Sequence, residues 1–241
     1  MPFRAAPRTP GGNRFDRLFT QGREAVLTGT HQVESEPADG RPRWAVGAVL
    51  RLDAPAARVI EQVARTAAGF VGGDHWLAGA VSSSHLSLRR HLEPCRRPVL
   101  PADPLVARYA AALRMAAADI GPIQFTINGL TLTPISVMAS AAPADGAADE
   151  LAAAFGAALL AGGCPDAGIT PDIWYVNLVY FTGPIRDPRH LVAWVAARRQ
   201  MEITELQVTG IQIVRWDYTG TGMVPTVLAA AANHIPSREG R

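Results

Sequence analysis

Ser82-Ser83-Ser84-His85-Leu86-Ser87-Leu88-Arg89 is the stretch on which the reading of this chain depends. Leu86 and Leu88 alternate with His85, Ser87 and Arg89. A period of two predicts a strand with one apolar face and one polar face carrying an imidazole and a hydroxyl. Ninety residues on stands Tyr175-Val176-Asn177-Leu178, within an aromatic and β-branched run from Ile173 to Phe181 that is the strongest strand signal in the chain. The two polar-x-polar steps follow similar successions of strands and one helix. Identity between the halves is too low to prove a repeat. Their order and size nevertheless suit an α+β fold of two pseudo-twofold-related lobes, each a mainly antiparallel sheet with outer helices, with both steps facing a central cleft.

Outward from these strands, Trp44 to Leu52 is a short apolar run bounded by Pro42 and Asp53-Ala54-Pro55, which predicts a buried strand. Asp53 then caps a helix in which Val59, Ile60, Val63, Ala67 and Phe70 recur at helical spacing up to Gly72-Gly73. Further helices are expected over 103–119, 149–161 and 188–201. A hairpin is expected from Ile123 through Ala139, and a last long strand from Leu206 to Tyr218, with Gly210 marking a bulge. Residues 1–42, rich in proline and glycine, read as an N-terminal extension, partly disordered, with one short helix near Phe15–Leu27. The domain is expected to span 43–232, with a tail over 233–241. Phe15, Leu18 and Phe19 suit either a docked extension or a loose one.

The chain has 241 residues, of which 48% are hydrophobic and 18% charged, and a formal net charge of +2. These values describe a globular chain and exclude a largely disordered one. All the basic residues are arginine, so Schiff-base and P-loop lysine chemistry are excluded, and the lysine-free, alanine-rich usage reads as coding bias. The near balance of 23 basic against 21 acidic residues gives no support to an RNA partner. Cys95 and Cys164 lack zinc-type spacing and read as structural thiols. No signal-like or membrane-length apolar run is visible, so no membrane partner is expected and the default location is cytoplasmic.

The run from His75-Trp76 to Ser84-His85-Leu86-Ser87-Leu88 resembles the first His-x-Thr/Ser strand of the 2H phosphoesterase superfamily, which includes 2′-5′ RNA ligase-like proteins and cyclic phosphodiesterases. Phe125 to Leu130, Pro134, Val137-Met138 and the strand Ile211 to Tyr218 extend the resemblance over roughly residues 43–232. It implies metal-free and cofactor-free chemistry in which two histidines flank a phosphodiester, one taking a proton and one giving it. A hydroxyl two residues beyond each histidine holds the non-bridging oxygens. The second motif is degenerate here: Tyr175 stands where a histidine is expected, and Asn177 where a hydroxyl residue is expected. A phenol can donate a proton but is a poor base at neutral pH. An amide can still donate to an oxygen.

His85 and Tyr175 are therefore the candidate catalytic pair, and Ser87 and Asn177 the candidate anion holders. Arg89 is the candidate cleft arginine, and Trp216 and Tyr218 are candidates for stacking on a base or sugar. The expected activity is that of a divergent hydrolase acting on a small phosphorylated or nucleotide-like molecule. The alternatives are a catalytically silent cleft that binds a nucleotide, RNA end or metabolite, or a cleft reused for a substrate without phosphate. Plain structural readings stay open beside these: a surface strand pair for His85 and Ser87, wall or core packing for Tyr175, Asn177, Trp216 and Tyr218. His75 reads as a solvated connection, and His91, His190 and His234 as loop or surface residues.

Overall fold

The computed structural model describes residues 12–37, 46–93, 98–118, 120–164 and 172–232. The first eleven residues, the strand start at Trp44 and Ala45, Cys95 and the 233–241 tail lie outside them. In chain order the elements are α1 (Gly12–Thr28), β1 (Val46–Leu52), α2 (Ala54–Val71), β2 (Trp76–Leu77), β3 (His85–Glu93), α3 (Pro104–Ala117) and β4 (Gln124–Leu132). They continue as β5 (Ser136–Pro143), α4 (Ala147–Ala161), β6 (Trp174–Tyr180), α5 (Pro188–Ala196), β7 (Glu202–Tyr218) and β8 (Met223–Ala232).

The fold is α+β. Its strands form one connected sheet in the order β2-β6-β5-β4-β7-β1-β3, with β8 also on β7, and every pairing is antiparallel. Seventeen-residue β7 joins the two halves: Glu202–Gln207 pairs with β4, while Val208–Val214 pairs with β1. Opposite Arg51 and Leu52 the register skips Thr209, so the irregularity expected at Gly210 falls one residue away. Asp53 holds this junction. One carboxylate oxygen accepts from Ala56 N at 2.8 Å and caps α2, and the other accepts from Gln207 N at 2.6 Å, tying the helix start to β7.

Leu50, Leu86, Leu88, Ile211 and Ile213 belong to one buried core cluster with residues of α2 and α3. Burying a leucine of this size contributes about 1.5–3 kcal/mol, so the backs of the polar strands are firmly held. N-terminal α1 is docked on β4 and α5, with Phe15, Phe19 and Val26 buried. Gly22 makes this close approach workable, because a Cβ there would lie 2.5 Å from the Leu132 backbone carbon. α5 and β8 are among the elements that differ from the sequence expectation. α5 stops at Ala196, and residues 197–200 form turns. Alanine-rich β8 was not expected; pairing along β7 overrides the helical preference of Ala229–Ala232. No helix among the described residues is long and apolar enough to cross a membrane.

Candidate active site

A cleft of about 540 Å³ opens between β1/β3 on one side and β5/β6 on the other. Cross-strand partners share a face, which fixes what points into it. On β3, His85 lies opposite Arg51 and Ser87 opposite Val49, and His85, Ser87 and Val49 line the cleft. The register then skips Leu88, a β-bulge, so that Arg89 pairs with Ala48 of the core face. Arg89 is accordingly buried, its guanidinium against Gly156 of α4, although part of it borders the cleft. Arg90 is turned inward and gives its Nη1 hydrogen to the Tyr175 hydroxyl at 3.3 Å.

The same device recurs on β6. Tyr175 lies opposite Ser140 and Asn177 opposite Met138; the register skips Leu178, and Tyr180 comes to lie opposite Ser136. Tyr175, Asn177 and Tyr180 all line the cleft. With the ninety-residue offset, His85 matches Tyr175, Ser87 matches Asn177, Leu88 matches Leu178 and Arg90 matches Tyr180. The two strands thus correspond in bulge position as well as in polar step.

Each group is set by its neighbours. His85 Nδ1 donates to the Ser83 carbonyl at 2.7 Å, which places the lone pair on Nε2. Burial pushes its pKa down to about 4, opposed by the Ser83 hydrogen bond and aided by the charge of Arg51. Arg51 in turn donates to the carbonyls of Val81, Ser82 and Ser84, shaping the loop that delivers His85. Trp216 tilts over the imidazole with ring centres 4.7 Å apart. It borders the cleft, but its ring is engaged with His85.

The Tyr175 hydroxyl has its pKa raised by burial and by Asp172, against the lowering effect of Arg90. Because Arg90 occupies a lone pair on the phenol oxygen, Tyr175 keeps its own hydrogen for donation elsewhere. Asn177 Nδ2 donates to the Tyr180 hydroxyl at 2.7 Å, and burial raises the Tyr180 pKa strongly. Near neutral pH the cleft therefore presents a neutral imidazole, two neutral phenols and the Arg90 cation.

Among the sequence candidates, His85, Ser87, Arg89, Tyr175, Asn177 and Trp216 border the cleft. Tyr218 does not; it packs against Trp76 at 5.5 Å and its hydroxyl donates to Glu36 at 2.6 Å, with the Gly220 carbonyl 2.8 Å away as the alternative acceptor. His75 is not solvated: it is buried, accepting from Thr182 N at 3.0 Å and donating to the Pro184 carbonyl at 3.3 Å. Arg90 and Tyr180 escaped sequence reasoning because each follows a bulge that breaks the period-two pattern. Arg14, Gln32 and Glu34 of the N-terminal segment, together with Thr133 and Ser136, also line the cleft without a sequence signal.

Solved structures with a similar fold include TT0787 of Thermus thermophilus, at a TM-score of 0.57 and 19% identity over 79% of this chain and 98% of that one. A phosphoesterase matches at 0.52 and 15%, covering 80% and 98% of the two chains. LigT of E. coli complexed with 3′-AMP matches at 0.50 and 15%, over the same shares. No protein-family description and no curated protein matches the sequence. The likenesses give this chain the 2H phosphoesterase fold. The kinship suggested by His85-Leu86-Ser87-Leu88 therefore stands at the level of fold.

Proposed function

We propose that the chain is a divergent 2H-type phosphoesterase acting on a small nucleotide-like phosphodiester by acid–base chemistry. The observation that carries this reading is the matched pair of bulged strands, which brings a neutral imidazole and a neutral phenol to one cleft with an arginine between the strands. His85 Nε2 takes the proton of the attacking water or hydroxyl. Tyr175 gives its hydrogen to the leaving oxygen, and the proton passes back from His85 through solvent after product leaves. Arg90, Ser87 and the amide of Asn177 hold the non-bridging oxygens, with the arginine supplying the charge. The 3′-AMP complex of LigT, a protein of the same fold, makes a nucleotide-sized phosphate ester the natural first substrate to test.

Hydrolysis of 2′,3′-cyclic nucleotides by the wild-type chain, His85→Ala and Tyr175→Phe is the test. Loss of about 10²-fold or more in each variant is expected; full turnover in His85→Ala rejects the assignment. One observation favours the second reading, a binding cleft without turnover: the raised pKa of Tyr175 leaves the second position without a base. In that case the wild-type chain binds cyclic nucleotides but does not cleave them. Tyr175→His with Asn177→Thr then confers activity.

A further inference from the structure

Residues 31–36 cross the mouth of the cleft as an extended strap. An extended chain sends alternate side chains to opposite sides. Val33 is 56% exposed, while Gln32 and Glu34 line the cleft. His31 Nε2 donates to the Gly183 carbonyl at 2.9 Å, Gln32 N to the Pro134 carbonyl at 2.8 Å and Glu34 N to the Phe181 carbonyl at 2.7 Å. The Tyr218 hydroxyl holds Glu36 at the far end at 2.6 Å. Two of these acceptors, Phe181 and Gly183, belong to one turn, so the strap is only as secure as residues 181–184.

That turn is held from its other side by His75, a buried imidazole that the proposed chemistry does not use. Its Nδ1 accepts from Thr182 N at 3.0 Å and its Nε2 donates to the Pro184 carbonyl at 3.3 Å. A backbone amide only donates and a carbonyl only accepts, so these two partners require the neutral ring. A second proton would land on Nδ1, directly against the Thr182 N–H, and would turn the acceptor into a donor. His31 and His75 both meet the Phe181 ring edge-on, with centres 5.5 and 6.1 Å apart, and the buried Nδ1 of His31 has no partner among the described residues. Burial lowers the His75 pKa, aided by the charge of His31 and opposed by the carbonyls of Pro184 and Val71 and by Asp74. Arg186 packs its Cβ beside Gly72, next to His75, while its guanidinium donates away to the Gly69 carbonyl.

We propose that His75 and His31 form an acid-sensitive clasp, which holds the strap over the cleft while the ring at 75 is neutral and frees it when that ring takes a second proton. The charged ring gives up Thr182, the turn loosens, and the acceptors of His31 and Glu34 go with it. Gln32 and Glu34 then leave the cleft wall and the mouth widens. The opened state binds the proton more tightly than the clasped one, so opening is favoured as pH falls below the ordinary 6.5 of the ring.

Amide hydrogen exchange of the full chain at about pH 7 and about pH 4.5, corrected for the intrinsic rate, tests the clasp; His85, with its pKa at about 4, stays largely neutral at both. Two pH units below 6.5 are worth a factor of ten each, so residues 31–36 and 181–184 are expected to lose protection by up to about a hundredfold, while β4 and β7 keep theirs. In His75→Asn the side-chain oxygen replaces Nδ1 as acceptor but takes no proton, and the strap should stay protected in acid. Undiminished protection in the wild-type chain, an equal loss in His75→Asn, or a loss shared by β4 and β7 overturns the clasp. The imidazole resonances of the wild-type chain give a second reading that needs no variant: strap opening must follow the titration of His75, and opening without it overturns the proposal equally.

Discussion

Lowering the pH probes the environment built around His85. Burial and Arg51 hold its pKa at about 4, whereas the same ring in the unfolded chain titrates near 6.5. Between these values the unfolded chain binds more protons than the folded one, so stability rises with pH. The contribution is fully present above about pH 6.5 and is lost as pH falls toward 4. Linkage puts the loss at about 2 kcal/mol between pH 7 and pH 5, and at about 3 kcal/mol below pH 4. Urea unfolding of the wild-type chain and His85→Gln at pH 7 and pH 5 isolates the term, because titrations common to the two chains cancel in the difference. The consequence for activity is sharper. With the base neutral above about pH 4 and the Tyr175 phenol protonated past its ordinary 10, kcat/KM should stay flat from about pH 5 to about pH 9. Two unshifted histidines would give a bell near neutrality instead. An imidazole resonance of His85 titrating near 6.5, or an acid limb in kcat/KM with its midpoint between 6 and 7, refutes the reasoning.

The adjacent arginines should separate cleanly. Arg90→Ala weakens nucleotide binding by about tenfold or more, as expected for a charged hydrogen-bonding group, with little change in melting temperature. Arg89→Ala lowers the melting temperature because that guanidinium is buried against Gly156, and the reverse pattern in thermal melts and binding isotherms would show the bulge to be misplaced. Gly129→Ala should cost about 3 kcal/mol or more in chemical denaturation, since φ is +89° and the new methyl would overlap the Arg199 carbonyl. Gly22→Val should destabilise by about 1–3 kcal/mol and expose α1 to limited proteolysis, because the Leu132 backbone leaves no room for a side chain; unchanged protection would mean that α1 is not seated there.

Much of the sheet was legible because alternation and β-branching are local properties. Leu86/Leu88 against His85/Ser87, and Val176/Leu178 against Tyr175/Asn177, report their faces directly. Legibility ended where a non-local partner decided the geometry. Nothing in Leu88 or Leu178 announces a skipped residue; the bulges exist because β1 and β5 impose their registers, and Arg90 and Tyr180 became visible only through them. Strand β8 was hidden for the same reason, since its alanines carry a helical preference that pairing along β7 overrides. The strap was hidden differently. Residues 31–36 have no periodic apolar signal and are ordered by backbone bonds to Pro134 and Phe181, about a hundred residues and more away in the chain.

The bulge correspondence also bears on the direction of chemistry. In a site with two histidines either ring can take or give the proton, so one geometry serves attack from both sides. Here the strands present the same backbone but unlike tips, an imidazole fixed with its lone pair on Nε2 and a phenol whose oxygen already accepts from Arg90. On the proposed reading only one assignment remains, proton abstraction at His85 and donation at Tyr175, so the leaving oxygen must sit on the β6 side. Substrates made with leaving groups of graded acidity distinguish this from a symmetric site. Tyr175→Phe should slow esters with poorly acidic leaving groups far more than activated aryl esters, because only the former need a proton from the phenol. Equal slowing across the series would show that Tyr175 positions the substrate without giving up its hydrogen.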